Sequence, residues 1–517
     1  MNKAHLLLAV PLLAATAGPL HATPPHAVPA PRPSTTGPST AGLPSPGAPP
    51  PGAAPTTLTL QQALALAYRG NPTLLGQQAT QRATTEDSAQ ARSGWRPTVT
   101  ANVNAAYQQG PYTGEYALGS FQSNDAEAYL AVRQPIYTGG QVANRVRAAD
   151  ARSQAARHAL RLTEAQTFQA AIGAYMDVLR DANVLAVRQA DLQTLTRQAA
   201  LTGTRYTLGG DAARQVTRTD VEQAQAQRDA AEVALADAEA QLTASRAAFR
   251  AIVGVEAGAG GATALVQPDG LPAQPPSLDA ALAQAGQANP ALARDLAAED
   301  AGAADIDTAR SAWNPTIGVT ATLGAIGAAS PFHGSAYDQE VTGMVTLTQP
   351  IESGGLYSSQ IRQARDRYET ARQAAEASRR TAIQAVVTAW QQVQSGLRAI
   401  RAGSAQVASA TTALRGYQLE YGYGMRSTID VLIADQNLRA AEISLAQSRH
   451  DTIIAEAALL AATGRLSAAT LLPDERHYDP DAPLRRARAP GWAPWEGAVS
   501  ALDRVGQRKT CAAAPCP

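Results

Sequence analysis

The chain has 517 residues, of which 45% are hydrophobic, 17% charged and only 5% aromatic. Its 43 basic and 43 acidic residues cancel, which leaves no basic footprint for a nucleic-acid partner. With four Phe and abundant Ala, the composition argues against a large compact core and suits Ala-rich helices packed side by side.

Residues 1–22 read as a secretory signal peptide. Lys3 precedes the apolar run Leu6 to Ala17, and Ala15-Thr16-Ala17 fits a small-x-small cleavage site, with cleavage after Ala17 or Ala22. The run is too short to span a bilayer as a helix, and no Cys lies near the cleavage site to carry a lipid. Residues 23–56 hold 12 of the 33 prolines among Ala, Gly, Ser and Thr, the composition of an extended linker. Farther on, no apolar run is long enough for a transmembrane helix, so a membrane crossing would use strands.

From the linker onward the chain reads as a duplication, the first copy over 57–264 and the second over 265–472. "NPTL" ending at Leu74 answers "NPAL" ending at Leu292. Trp95 answers Trp313, each opening Trp-x-Pro-Thr; "QPIYTGG" ending at Gly140 answers "QPIESGG" ending at Gly355; Tyr206 stands opposite Tyr421. The order is kept throughout, which chance similarity between Ala-rich segments would not preserve. Each copy predicts a helix of roughly 30 residues, two strands and a very long helical hairpin. Val386, Val393, Ile400, Val407 and Leu414 recur every seven residues, with Ile383, Trp390 and Leu397 interleaved at spacings of three and four. Val431, Leu438, Leu445, Thr452 and Leu459 keep the beat after the turn, and Phe168, Ile172, Tyr175 and Leu179 form the first copy's seam. Sustained heptads predict paired coiled-coil helices. Some 60 residues before the second turn make a rod of about 90 Å.

The predicted strands alternate. Val99, Ala101, Val103, Ala105 and Tyr107 lie on one face of the first, and Ile317, Val319, Ala321, Leu323 and Ala325 on one face of its counterpart. Their partners are at about Ala126–Gln134 and Val341–Gln349. Each is about 10 residues long, enough for a tilted strand to cross a bilayer. A half-buried soluble hairpin gives the same alternation; the signal peptide and the rods favour the membrane. Four strands leave open edges, whose unpaired backbone groups cost several kcal/mol each in hydrocarbon. Copies of the chain must therefore close the sheet together, and three copies give twelve strands and a lumen.

Doubled and in order, these motifs resemble the TolC family of outer-membrane efflux and secretion channels, from about Thr57 to Leu466. The resemblance implies a fold that is mainly α with transmembrane β. A homotrimer places a 12-stranded β-barrel, four strands per chain, in the outer membrane and continues it as an α-helical coiled-coil barrel through the periplasm. It implies a passive duct for type I protein secretion, with a small-molecule efflux factor as the alternative. Its implied partners are a periplasmic adaptor and an inner-membrane ABC or RND transporter. The missing lipid-anchor Cys favours the secretion reading.

In that family Tyr and Arg at the second hairpin tip bond Thr and Asp of the first, closing the tunnel. The matching positions here are Tyr421 and Arg426, and Thr219 and Asp220. Asp430 matches an acidic residue that rings the constriction. The family's next acidic position falls on Ile433, and Asp435, two residues on, points elsewhere on the helix; the first tip is also longer than the second. From the residues alone, an Arg at a hairpin tip is a solvated charge and Tyr421 only ends the seam of Leu414. Nothing calls for an enzyme, a cofactor or a metal. The seven His are scattered, no Ser nucleophile elbow occurs, and the glycine-rich run near Gly258 lacks a preceding strand. A periplasmic coiled-coil adaptor is the rival class, and the doubled strand pairs argue against it. The tail 473–517, with "PGWAPW", Cys511 and Cys516, carries no assigned role; an oxidising compartment lets the two thiols pair.

Overall fold

A computed structural model describes residues 57–111, 120–208, 216–257, 264–268, 270–328, 338–423 and 425–505. The signal peptide, the Pro-rich linker, the added length of the first tip and the Cys511–Cys516 pair lie outside the described residues. The first repeat runs β1 (Thr57–Leu58), α1 (Leu60–Gly70), α2 (Pro72–Ser93), β2 (Thr98–Pro111), β3 (Ser120–Tyr137), α3 (Gln141–Leu208) and α4 (Arg218–Val253). The second repeats that order as β4 (Ala264–Leu265), α5 (Leu278–Ala288), α6 (Pro290–Arg310), β5 (Thr316–Ala328), β6 (Asp338–Thr348), α7 (Leu356–Gly422) and α8 (Thr428–Ala462). Three short helices follow: α9 (Ala468–Leu471), α10 (Asp481–Ala487) and α11 (Glu496–Val505). Among the described residues, no helix is long and apolar enough to cross a membrane.

The single opening helix expected in each repeat is two helices. Asn71 and Asn289 each precede a proline and are held extended, with ψ of 119° and 121°. Each proline then starts a new helix at a position whose N–H has no partner anyway. The Asn side chain caps that helix, accepting from Thr73 N at 2.9 Å and from Ala291 N at 3.0 Å. Its Nδ2 donates to the foot of the returning hairpin helix, at Ile252 O (3.2 Å) and Ala462 O (2.9 Å). The Gln motif works in the same doubled way: Gln134 and Gln349 donate to the carbonyls of Trp95 and Trp313, both at 3.0 Å, and close the bases of the strand pairs. The Gly-Gly turns have φ of 67° and 80° in one repeat and 61° and 81° in the other. Only Gly takes two such residues in succession without strain.

The four long strands form one antiparallel sheet in the order β2-β3-β5-β6, so the two hairpins join through β3 and β5. The strands have 14, 18, 13 and 11 residues, longer than the sequence pattern alone suggested. Their register puts Val99, Val132, Ala321 and Gly343 in one row, and Ala101, Leu130, Leu323 and Val341 in the next. That face is mostly apolar, with Gln134 and Gln339 as polar exceptions, and among the described residues most of it is uncovered; Val103 is 80% exposed and Val345 71%. The opposite face carries Asn102, Asn104, Glu127, Arg133, Thr320, Thr322 and Glu340, with Tyr129, Ile326 and Met344 as exceptions. Asn104 donates to Glu127 across strands at 2.6 Å. β2 and β6 are left as unpaired edges.

The helices α3 and α7 have 68 and 67 residues, about 100 Å each at 1.5 Å per residue. Their halves nearer the sheet pack on α2 and α6, and their far halves on α4 and α8. The heptad series of α7 faces α8: Val386, Val393 and Leu414 are buried opposite Val431, Leu438, Thr452 and Leu459. A parallel series of small residues, Ala375, Ala382, Ala389, Gly396 and Gly403, lets the backbones approach. A Cβ on Gly396 would lie 3.2 Å from the Thr452 Cβ. Ile383 and Leu397, which the spacing placed on the seam, are instead 49% and 43% exposed. They sit on the flank that α8 does not reach.

The main core lies where the repeats meet, around Leu64, Leu74, Phe168, Ile172, Tyr175, Phe249 and Leu460. The Tyr175 hydroxyl donates to Leu58 O (2.8 Å) and accepts from Val266 N (3.0 Å), which bolts the short parallel pair β1–β4 to α3. The C-terminal segment, unassigned from sequence, returns to the first repeat at the root of the sheet. The Asp503 carboxylate of α11 is fully buried and accepts from Thr138 N and Oγ1 (both 2.8 Å), Gly140 N (3.0 Å), Ala143 N (3.2 Å) and Trp95 Nε1 (3.0 Å). It serves the orphan amides that open α3. At the matching turn of the second repeat the exposed Glu352 holds the turn ahead of α7 from within its own loop, accepting from Ser353 N and Gly354 N at 2.8 Å. Asp503→Ala strands several buried donors and should cost about 3 kcal/mol. Hydrogen exchange at residues 138–146 and 496–505 should rise together.

Candidate functional site at the hairpin tips

Each returning helix begins with the same device. Thr217 caps α4 and Ser427 caps α8, each in a capping box closed by the acidic residue three places on. Asp220 Oδ2 accepts from Thr217 N (2.7 Å) and Oγ1 (2.8 Å). Asp430 Oδ2 accepts from Ser427 N (3.1 Å) and Oγ (2.8 Å). The Ser427 bonds hold the Asp430 carboxyl below the usual carboxylate range. Both acids assigned to the gate by resemblance are therefore also helix starters.

Tyr421, in the last turn of α7, is held by the other hairpin. The Arg205 guanidinium lies 4.7 Å from the Tyr421 ring centroid and donates to its hydroxyl. Thr428 Oγ1 donates to the same hydroxyl at 3.3 Å. Arg426 Nε donates to Glu420 Oε2 at 2.7 Å, and its guanidinium lies 4.7 Å over the Tyr417 ring. The Glu420 bond lifts Arg426 above its usual value. Among the described residues, no bond joins Tyr421 or Arg426 to Thr219 or Asp220. Within one chain the expected pairs are not brought together: Asp220 turns back to Thr217, Thr219 is exposed on the first turn of α4, and Arg426 finds Glu420 within its own tip.

The partners that sequence reasoning missed carried a signal. The duplication that sets Tyr206 opposite Tyr421 also sets Arg205 opposite Glu420, residues of opposite charge at equivalent places. Each is used, Arg205 between the hairpins and Glu420 within the second.

Asp435 is buried on the face of α8 that meets α3, away from the exposed flank of Ile433. Burial raises its carboxyl above the usual range; Arg439, 3.2 Å away, pulls it down and Asp191 pushes it up. Asp191 on α3 is raised as well, chiefly by burial. Carboxyls raised in the fold bind protons more tightly there than in the unfolded chain. Their stabilising contribution is complete below the ordinary carboxylate value and is lost as pH rises through the raised one. Asp435→Asn should therefore flatten the loss of α8 protection on going from pH 4 to neutrality, read by hydrogen exchange.

A profile of the Outer membrane efflux protein family matches residues 61–255 and 281–465, one block in each repeat. The chain is similar to the outer membrane efflux protein BepC of Brucella suis biovar 1 (strain 1330). The two are 31% identical over 429 residues, covering 82% of this chain and 89% of BepC. Outer membrane protein TolC of Escherichia coli (strain K12) is 26% identical over 459 residues, covering 84% of this chain and 90% of that protein. In fold, the chain is similar to the Campylobacter jejuni CmeC outer membrane channel, with a TM-score of 0.70 at 14% identity, over 83% of this chain and 89% of that one. With its duplicated helices, its amphipathic four-stranded sheet and a profile match in both repeats, the chain belongs to the outer membrane efflux protein family, the TolC-like export channels.

Proposed function

We propose that three copies of this chain close a 12-stranded barrel in the outer membrane and join their rods into one periplasmic tunnel. The tunnel is the passive outer duct of a type I protein secretion system. The observation that carries this reading is the sheet itself. It has one uncovered apolar face, one polar face and two unpaired edges. Hydrocarbon accepts the first, a water-filled lumen the second, and only edge-to-edge closure the third. An adaptor and an inner-membrane transporter supply energy and choose the cargo. The efflux reading draws support from the similarity to BepC. A deletion strain separates them: loss of one secreted protein without drug sensitivity supports secretion, and the reverse supports efflux. Heat-modifiable trimers that conduct ions in planar bilayers test the duct, and a monomer without conductance overturns it.

The tips are proposed as its gate. In the closed ring, Thr219 and Asp220 of one protomer face Arg426 of the next, while the Arg205–Tyr421–Thr428 set joins the two hairpins within a protomer. The Arg426–Glu420 pair is more than 40% exposed on both sides, so water screens it and it holds the tip only weakly. A gate built from three such sets is weak enough for a docking partner to open. Tyr421→Phe and Arg426→Ser should each raise single-channel conductance, and unchanged conductance in both removes these residues from the gate. Asp430→Asn keeps a capping acceptor but loses the charge. It should weaken block by trivalent cations, because three facing carboxylates make a cation site.

A further inference from the structure

The C-terminal segment carries an apolar surface that the fold leaves uncovered and the channel reading does not use. Trp492 is 70% exposed and Trp495 45%, their rings 6.3 Å apart in a T-shaped pair. Trp495, just ahead of α11, and Ala498, Leu502 and Val505 on it recur at spacings of three, four and three, which puts them on one side. Leu502 and Val505 are exposed. The neighbouring face is the one that docks, through Val499 on Trp95, Val142 and Val146 and through Asp503 on the α3 turn. The helix is thus held rigidly with a second, apolar side turned out.

The position of that side is fixed by one hydrogen bond. Trp495 Nε1 donates to Gln134 Oε1 at 2.9 Å. By strand alternation Gln134 shares its face with Val132 and Leu130, in the row of Val319 and Val345. Trp495 therefore sits at the rod-proximal end of the sheet's apolar face and is continuous with it. The same C-terminal segment offers exposed basic groups. Arg486 and Arg504 are exposed, while Asp503 is buried and Glu496 is tied to Arg96 at 3.1 Å.

Resting on the channel reading, we propose that residues 492–505 form an interfacial anchor that lies in the periplasmic leaflet of the outer membrane. The Trp rings sit at headgroup depth, Leu502 and Val505 reach the acyl boundary, and Arg486 and Arg504 meet lipid phosphates. Trp is suited to this layer by an apolar body with one polar N–H, and a short amphipathic helix lies flat in it. The anchor holds the root of the barrel at a set depth.

The test reconstitutes the full mature chain in phosphatidylethanolamine–phosphatidylglycerol vesicles whose acyl chains are brominated near the glycerol end. Tryptophan fluorescence and ion conductance are read together. The wild type should be quenched. Trp492→Phe/Trp495→Phe should lose about half or more of the quenchable signal while its conductance persists, since Trp95 is buried, Trp390 lies along the rod and only the half-buried Trp313 remains near the sheet. Trp495→Phe alone keeps the test open if the double variant misfolds, and should lose part of the signal. Equal quenching in a conducting variant overturns the anchor and leaves the channel standing. Loss of the trimer with unchanged quenching gives the patch to a neighbouring protomer and overturns it as well. A wild type that neither inserts nor conducts overturns the channel and the anchor together.

Discussion

A β-sheet that ends in two unpaired strands has only one comfortable place in hydrocarbon: a closed ring with copies of itself. Each exposed edge is a ladder of amides and carbonyls with no water to satisfy them, at several kcal/mol per group. In this chain β2 and β6 are such edges, and the face between them is mostly apolar from Val99 to Leu347. On the proposed channel reading, association is therefore a condition of the fold. The rods follow from it, because every strand pair is joined through a Gly-Gly turn to a helix of nearly 70 residues. Whatever arranges the strands also arranges the helices.

Duplication provides the joints that make this transfer rigid. Asn71 and Asn289 each cap one helix and hold the foot of another, and Gln134 and Gln349 each hold the carbonyl of a Trp. These are single hydrogen bonds from neutral side chains, individually worth about 1 kcal/mol. Their strength lies in placement. Each ties residues distant in sequence at a point where the chain changes direction, so bend and hairpin cannot move independently. The alternating large and small residues of α7 do the same along the rod, with Gly396 and Gly403 set where α8 comes closest.

Much of this was legible in the sequence because it rests on periodicity and repetition. Alternation in Val99 to Tyr107 gave the sheet face, heptads from Val386 to Leu414 gave the seam, and the doubled motifs gave the order of elements. What escaped has physical reasons. The break at Asn71-Pro72 was visible as a dipeptide, yet helical patterning on both sides of it masked the bend. Ile383 and Leu397 obey the spacing of the seam but belong to its outer flank, and spacing alone does not say how wide a partner's contact is. Arg205 and Glu420 pair with residues that no local pattern relates to them. Asp503 was invisible for the same reason: one carboxylate, some 360 residues from the amides it serves, in a tail without repeats.

The two roots of the rod are built with different timing. The second repeat carries its carboxylate, Glu352, inside the turn that needs it, so that corner can set as soon as it emerges. The first repeat must wait for α11, whose Asp503 lies some 360 residues farther along the chain. Without it the amides of Gly140 and Ala143 lack the carboxylate that accepts from them. A polypeptide cut short during export would thus present one finished corner and one loose one. The C-terminal helix thus completes a corner that the first repeat cannot complete from its own residues.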